Sequence, residues 1–313
     1  MPYFKGNTHC HSTNSDGEIS PQEIARYYKS IDYDFVAITD HHTCTKTNEY
    51  NQQASFAPIA GTEIGSLRLA HTVGLWVGDE CKVFEDDEFL EGCPIGNLYQ
   101  TYIDEIKKVG GIPILCHPFW HWTFDYQAIK NVTGWNHFEL CNASPDCNAF
   151  PVPGYAPAEQ MWDKLLSSNR RVFGVASDDA HEYSGAYKPN KPFGGRGFIM
   201  LKADCLTDKS LRDSFEKGCF YSSTGTLLKD YTLDNNGFYI SIEPTGYDEV
   251  CSFEVFGLNG KLLQHTHGTE VKYQFNGDEV YVRVRIATTL GQWLWTQPIF
   301  LDDLSNQMEW INK

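Results

Sequence analysis

The stretch Gly6-Asn7-Thr8-His9-Cys10-His11-Ser12-Thr13-Asn14-Ser15-Asp16-Gly17 decides how the chain is read. Alternate residues of an extended segment point to one side, so His9 and His11 can present two imidazoles to one metal ion while Cys10 faces away. Asp16, one turn later, can swing back with a hard oxygen ligand. Thirty residues on, Phe35-Val36-Ala37-Ile38 reads as a short buried strand that delivers Thr39-Asp40-His41-His42 at its C-terminal end. A lone His-x-His pair is weak evidence. Followed by Ser-Asp-Gly and then by Asp-His after an apolar run, it is a metal-site pattern.

The same rhythm continues outward from this pair. Ser20-Pro21-Gln22-Glu23 carries an N-cap, a proline at the first helical position and a capping-box glutamate, with Ile24, Tyr27, Tyr28 and Ile31 at helical spacing. Further strands end on Glu63, open on His71, or terminate at His117-Pro118 and at Asp178-Asp179-Ala180-His181, and helices are expected near 98–109, 125–131, 158–169 and 208–217. Strands alternating with helices predict an α/β fold with a mostly parallel sheet. In a closed barrel the strand ends converge on one mouth. An open doubly wound sheet would spread the same ligands along a line.

Composition changes near residue 227. Beyond it no helix is expected, and Asn236-Gly237, Asn259-Gly260 and Asn276-Gly277 mark hairpin turns between short alternating strands. The expected division is a metallohydrolase barrel over 1–226 and a small antiparallel β-sandwich, roughly immunoglobulin-like, over 227–313. Arg283 and Arg285 alternate with valines and read as a solvated face; His265 and His267 read as surface residues.

The 313 residues carry 25 Lys+Arg against 41 Asp+Glu, a net charge of −16. Such a field repels polyanions and excludes a non-specific nucleic-acid surface, although bound divalent cations can reverse its sign locally. The N-terminus shows no apolar signal segment and no stretch is long enough to span a membrane, so a cytoplasmic location is expected. Ten scattered cysteines without a Cys-x-x-Cys pair read as reduced, mostly buried thiols. Oligomeric state is not readable.

His9, His11, Asp16, His41, Glu63, His71, His117, Asp179 and His181 give six imidazoles and three carboxylates, more than one zinc ion uses. They suit two or three ions sharing a carboxylate bridge, for which Glu63 has the reach. Their order, His-x-His, Ser-Asp-Gly, Thr-Asp-His, Gly-Thr-Glu, His, His-Pro and Asp-x-His, resembles the PHP (polymerase and histidinol phosphatase) domain over about residues 5–226. The resemblance implies a distorted, TIM-like (β/α)7 barrel with a trinuclear site of zinc, iron or manganese and no organic cofactor. Carried over position by position, His9, His11, Glu63 and Asp179 would hold the first metal, Glu63, His71 and His117 the second, and Asp16, His41 and His181 the third. The segments Gly197 to Leu201, Gly218 to Gly225 and Trp295 to Leu301 look like the carbaryl-hydrolase-like branch, whose members append a β domain.

Around these ligands, Asp178 is expected as an outer partner and Asp40 as an orienter of an imidazole. His42 and His121 are candidates for protonating a leaving group, Arg196 for clamping phosphate, and His137 reads as structural. The loops Phe119-Trp120-His121-Trp122 and Phe150-Pro151-Val152-Pro153-Gly154-Tyr155 are expected as aromatic pocket walls. The function so implied is hydrolysis of a small phosphate mono- or diester by a metal-activated hydroxide. The same site would also serve a carboxyl-ester or carbamate substrate, and a third reading is a non-catalytic, metal-stabilised binding protein.

Overall fold

In the computed structural model, which describes residues 1–47, 55–65, 70–78, 93–147, 158–185, 190–244 and 250–313, the chain opens with β1 (Tyr3–Asn7). The predicted cap then starts α1 (Pro21–Ser30): the Ser20 hydroxyl accepts from the Glu23 amide, and the Glu23 carboxylate accepts from the Ser20 amide. Ile24 and Tyr28 form its buried stripe. Next come β2 (Phe35–Ile38), β3 (Ala57–Gly65), β4 (His71–Leu75), α2 (Ile95–Lys108), β5 (Ile112–Leu115), α3 (Tyr126–Ile129), β6 (His137–Asn142), α4 (Ala158–Ser167) and β7 (Phe173–Ser177).

Strands β1 to β7 are neighbours in chain order within one sheet. The pairs β1–β2, β2–β3, β5–β6 and β6–β7 are parallel. Strand β4 runs against both neighbours. Its connection to β3 explains this, because a parallel return needs a crossover of about a dozen residues or more and residues 66–70 supply too few. Within β1–β7 the sheet is mostly parallel, as expected from the sequence, with β4 the exception. Past their ends, β1 and β7 meet: Cys10 and Ala180 form a parallel bridge, the His11 amide donates to Ala180 O at 2.8 Å, and the Asp179 amide donates to His9 O at 3.0 Å. That junction gathers the strand ends at one mouth rather than along a line. Ala37, Ile59, Val73, Ile114, Cys116 and Val175 pack together in a buried core that also takes in Phe215 and Phe220.

After β7 come β8 (Phe198–Lys202), α5 (Asp208–Glu216) and β9 (Phe220–Ser223). Strand β8 lies antiparallel to β1 and to β9. The remaining strands are β10 (Leu227–Leu233), β11 (Gly237–Glu243), β12 (Cys251–Gly257), β13 (Lys261–Gly268), β14 (Glu270–Gln274), β15 (Tyr281–Thr288), β16 (Trp293–Thr296) and β17 (Ile299–Phe300). β10, β11 and β14 form a three-stranded sheet. The order β13-β12-β15-β16 continues directly into β9, with Trp295 opposite Ser222, so the two parts of the chain share one ladder. Side chains of both sheets, including Ile240, Tyr273, Phe253 and Val284, meet in a common core.

Two expectations need correction here. The C-terminal part does contain a helix, α6 (Leu304–Ile311), whose Ile311 is buried in that core. Arg283 is not solvated: it is 1% exposed, because α4 brings Asp163 and Glu159 against β15. His265 and His267 are exposed as expected. The nine described cysteines are free thiols, five of them buried, and Cys81 lies outside the described residues. No helix among the described residues is long and apolar enough to cross a membrane.

Candidate metal centre

His9 and His11 follow β1 directly, and both are fully buried. Cys10 points the other way, its thiol donating to Ala37 O at 3.2 Å. The turn that returns Asp16 toward His11 depends on Gly17, where a Cβ would stand 2.1 Å from His11 O. His41 and Glu63 are joined by a parallel bridge just past β2 and on β3. His71 begins β4, and His117 follows β5. Asp179 and His181 follow β7. Six elements thus deliver nine donors to one mouth.

Glu63 is the hub. Its Oε2 lies 3.2 Å from His9 Nε2, 3.3 Å from His11 Nε2 and 3.1 Å from His41 Nδ1. Its Oε1 lies 2.9 Å from both His71 Nδ1 and His117 Nε2. Asp179 Oδ1 approaches His9 Nε2 at 3.3 Å and His11 Nε2 at 3.2 Å. Asp16, which is 55% exposed at its side chain, reaches His11 Nδ1 and His41 Nε2 at 3.6 Å and His181 Nε2 at 3.4 Å. Two four-residue donor groups result, His9, His11, Glu63 and Asp179, all buried, and His11, Asp16, His41 and His181 toward solvent, beside three smaller overlapping ones.

The electrostatics follow from this packing. Burial disfavours charge on Glu63 and Asp179, but the surrounding histidines overcome it and hold both well below the usual carboxylate range. Burial also opposes charge on His9, yet Asp179, Glu63 and Glu139 raise its pKa well above the ordinary value. His11 is lifted to about 9 by Asp179 and Glu63 against the same penalty. In His41 burial wins, and its pKa falls to about 4. Buried carboxylates compensated by imidazoles, with mixed nitrogen and oxygen donors, fit divalent transition metals. The backbone carries strain at the same place: His117 and Asp179 sit at φ 26° and 50°, each of which costs about 1–3 kcal/mol for a non-glycine residue.

Glu139 is the residue that sequence reasoning missed. It is buried in the middle of β6. Its Oε1 accepts from His9 Nδ1 at 2.8 Å and from the Ser177 hydroxyl at 2.6 Å. Its Oε2 accepts from the His117 amide at 2.7 Å and from Asn142 Nδ2 at 3.0 Å. Asn142 also donates to Asp179 Oδ2 at 3.1 Å. The available signal is a carboxylate set inside the apolar run Phe138-Glu139-Leu140.

The auxiliary residues sort differently. Asp40 does not orient an imidazole. Its oxygens accept from the Ser12 amide and hydroxyl at 2.7 Å, from the Ser15 hydroxyl at 2.8 Å and from Thr45, so it braces the loop that carries Asp16. Asp178 does not touch the imidazoles either. It accepts from Tyr28 and from the amides of Gly195, Arg196 and Gly197. The loop of Arg196 is therefore held by its backbone, while the Arg196 guanidinium lies 3.5 Å from Lys191 O and lines a cavity of 1140 Å³ between α4 and β15–β16. His42 stands 6.3 Å, ring to ring, from His41. His121 is exposed and packs on Trp120, whose ring in turn faces His71 at 4.9 Å and His117 at 5.4 Å. The aromatic wall expected at Phe119–Trp122 is thus present in Trp120, and the loop from Phe150 to Tyr155 lies outside the described residues. His137 is buried away from the cluster, against Phe215.

No protein-family model and no curated protein sequence matches this chain. The fold itself has a solved counterpart. It overlays on a two-domain protein from Bacteroides vulgatus containing a predicted PHP-like metal-dependent phosphoesterase, with a TM-score of 0.52, 14% identity, and coverage of 91% of this chain and 90% of that one. This likeness is one of fold and spans both parts of the chain. Partial overlaps link it to a proposed metal-dependent phosphoesterase from Bifidobacterium adolescentis (TM-score 0.45, 14% identity, 68% of this chain, 96% of that one). An amidohydrolase from Chromobacterium violaceum, with bound sulfate and no metal, overlaps at TM-score 0.38 and 13% identity over 60% of this chain and 93% of its own length.

Proposed function

We propose that the chain is a metal-dependent hydrolase that cleaves a small phosphate mono- or diester at the mouth built around Glu63. The observation that carries this reading is the division of one buried carboxylate between two sets of imidazoles: Oε2 faces His9, His11 and His41, while Oε1 faces His71 and His117. A carboxylate so placed is built to bridge two ions. His9, His11, Glu63 and Asp179 would hold the first, Glu63, His71 and His117 the second, and Asp16, His41 and His181 the third. Divalent ions there would lower the pKa of a coordinated water toward about 7 and neutralise phosphate oxygens.

The protein's own contribution is orientation and charge. Glu139 fixes the His9 ring so that Nε2 faces the cluster. The half-exposed Asp16 marks the side from which substrate enters. A net charge of −16 repels a phosphate dianion everywhere except beside bound cations, which confines anion binding to the mouth. Trp120, against His71 and His117, forms an apolar wall for the leaving group. His42 remains the candidate for protonating the leaving alkoxide. His121, on the far side of Trp120, and Arg196, in the lateral cavity, do not.

The test is elemental analysis of protein purified without chelator, coupled to turnover of a phosphate monoester, a phosphodiester and an aryl ester. About two to three equivalents of transition metal with phosphate release are expected. A well-folded protein that stays metal-free after reconstitution overturns the reading. Turnover of the aryl ester alone keeps the metal centre and replaces the phosphoesterase with an esterase.

A further inference from the structure

Cys116 follows β5 and is fully buried. Its Sγ lies 3.5 Å from Glu63 Oε1, the same oxygen that His71 Nδ1 and His117 Nε2 each approach to 2.9 Å. Donor atoms of Glu63, Cys116 and His117 fall within 4.8 Å of one another. One carboxylate oxygen is therefore the meeting point of two imidazole nitrogens and a thiol.

This corner differs from the rest of the mouth. The group around His9 has four nitrogen and oxygen donors, and so has the group around Asp16. Among the described residues, Oε1 is approached by the nitrogens of His71 and His117, which with Glu63 make three nitrogen and oxygen ligands against a tetrahedral four. His41 Nδ1 lies 3.1 Å from Oε2, and His41, Glu63 and His71 also form a donor group within 4.8 Å. Among the described residues, the Cys116 sulfur is the further donor at Oε1, at 3.5 Å. Cys10 and Cys116 are both buried cysteines beside metal-ligating histidines, yet only Cys116 turns toward the carboxylates, since the Cys10 thiol bonds to Ala37 O.

We infer that the Cys116 thiolate is the fourth protein ligand of the ion held by Glu63, His71 and His117, and that it makes this position select zinc or ferrous iron over manganese. The inference rests on the metal-centre reading given above. On loading, the S–H proton passes to water and a sulfur lone pair forms the bond to the ion, with no change of oxidation state. A soft sulfur donor discriminates against manganese, which prefers oxygen ligands. Neither the group of His9, His11, Glu63 and Asp179 nor that of His11, Asp16, His41 and His181 includes sulfur, although Cys116 also falls within 4.8 Å of His9 and Glu139.

The experiment reconstitutes the protein with cobalt(II) and records near-ultraviolet absorption, where sulfur-to-cobalt charge transfer is visible, with cobalt per chain measured on the same samples. Wild type and a Cys205→Ser control, altered at an exposed thiol, should both show the band. Cys116→Ala and Cys116→Ser, with folding checked by circular dichroism, should lose it. Both should also lose zinc-over-manganese preference by at least about tenfold, the lower end of the effect of removing an outer partner of a metal ligand. Two or more cobalt ions bound to wild type without a sulfur band, or a band that survives in Cys116→Ala, overturns the inference and leaves the metal centre standing. Wild type that takes up no metal removes both.

Discussion

Two of the places where the described residues bury charge are built on opposite plans. Between α4 and β15, Arg283 clasps Asp163 with two bonds of 2.6 and 2.8 Å and reaches Glu159 at 3.1 Å. Arg285 links Glu159 at 2.9 Å to Glu254 at 2.6 Å. The positive charge there is permanent, and guanidinium donors match carboxylate oxygens in number and direction. At the mouth, the cationic partners of Asp16, Glu63 and Asp179 are imidazoles, which are as ready to ligate an ion as to carry a proton. A closed network holds two parts of a fold together. A network compensated only by titratable ligands can exchange its protons for metal.

The largest expected break in this comparison is Glu63→Gln. It keeps the shape of the hub but removes the charge that serves both oxygens' neighbours, so metal content should fall by at least one equivalent and turnover to background. Elemental analysis and a phosphate-release assay read this, and an unchanged metal count would show that Glu63 is not the bridge. Arg283→Ala should act on stability instead. It leaves Asp163 buried without its cation while Glu159 keeps Arg285, a loss of about 3–5 kcal/mol by denaturant titration. Metal bound per folded chain should not change. Arg283→Met with Asp163→Leu should recover much of the loss, since a buried ion pair replaced by apolar groups is often neutral.

A buried imidazole outside the mouth sharpens the contrast. His137 stacks on Phe215 at 4.1 Å, its Nε2–H bonds to Phe215 O at 2.9 Å, and burial lowers its pKa to about 4 against the opposing pull of that carbonyl. Among the described residues, no carboxylate acts on it. The unfolded chain therefore takes up this proton first, near pH 6.5. Stability is complete above that value, declines as pH falls from about 6.5 to 4, and loses on the order of 3 kcal/mol over the window. His137→Phe should remove that slope from an acid-unfolding series while leaving the mouth intact. An identical slope in the variant would assign the acid sensitivity to the mouth.

Much of the mouth is legible in the sequence because every ligand but Asp16 sits within four residues of a strand end, where local pattern and chain order agree. The hub role of Glu63 follows from its reach and position. Glu139 is not legible in that way. Its partner His9 is 130 residues distant, and a buried carboxylate within an apolar strand reads as noise until the partner is known. Arg283 fails for a related reason: alternation with valines says which side of β15 it occupies, but not that α4 covers that side. The helix α6 is short, and Leu304, Met308 and Ile311 at helical spacing are hard to separate from the apolar strands around them. The pairing of β16 with β9 joins residues about seventy apart, which no local pattern reports.

The smallest expected effect is also the most discriminating, because it concerns a carboxylate that belongs to both plans. Glu139 accepts four hydrogen bonds as a closed network would, yet one donor is the His9 imidazole and another is the amide of His117. A glutamine at 139 has one acceptor oxygen and one NH2 group. If its oxygen accepts from His9 Nδ1, its NH2 confronts the His117 amide, donor against donor. If it turns over, the clash moves to His9, and the ring is free to rotate its wrong nitrogen toward Glu63. Either way, one ligand loses its orientation, and Glu139→Gln should weaken metal binding about 10–100-fold. Unfolding free energy of the metal-free protein should fall by only about 1–3 kcal/mol, the range for one buried hydrogen bond left unmade. Competition with a chelating dye separates these quantities, since it reads affinity on protein that is already folded. A stability loss with unchanged metal affinity would place Glu139 with Arg283 as a structural tie. A shift in affinity that Glu139→Asp partly restores would place it with the metal centre.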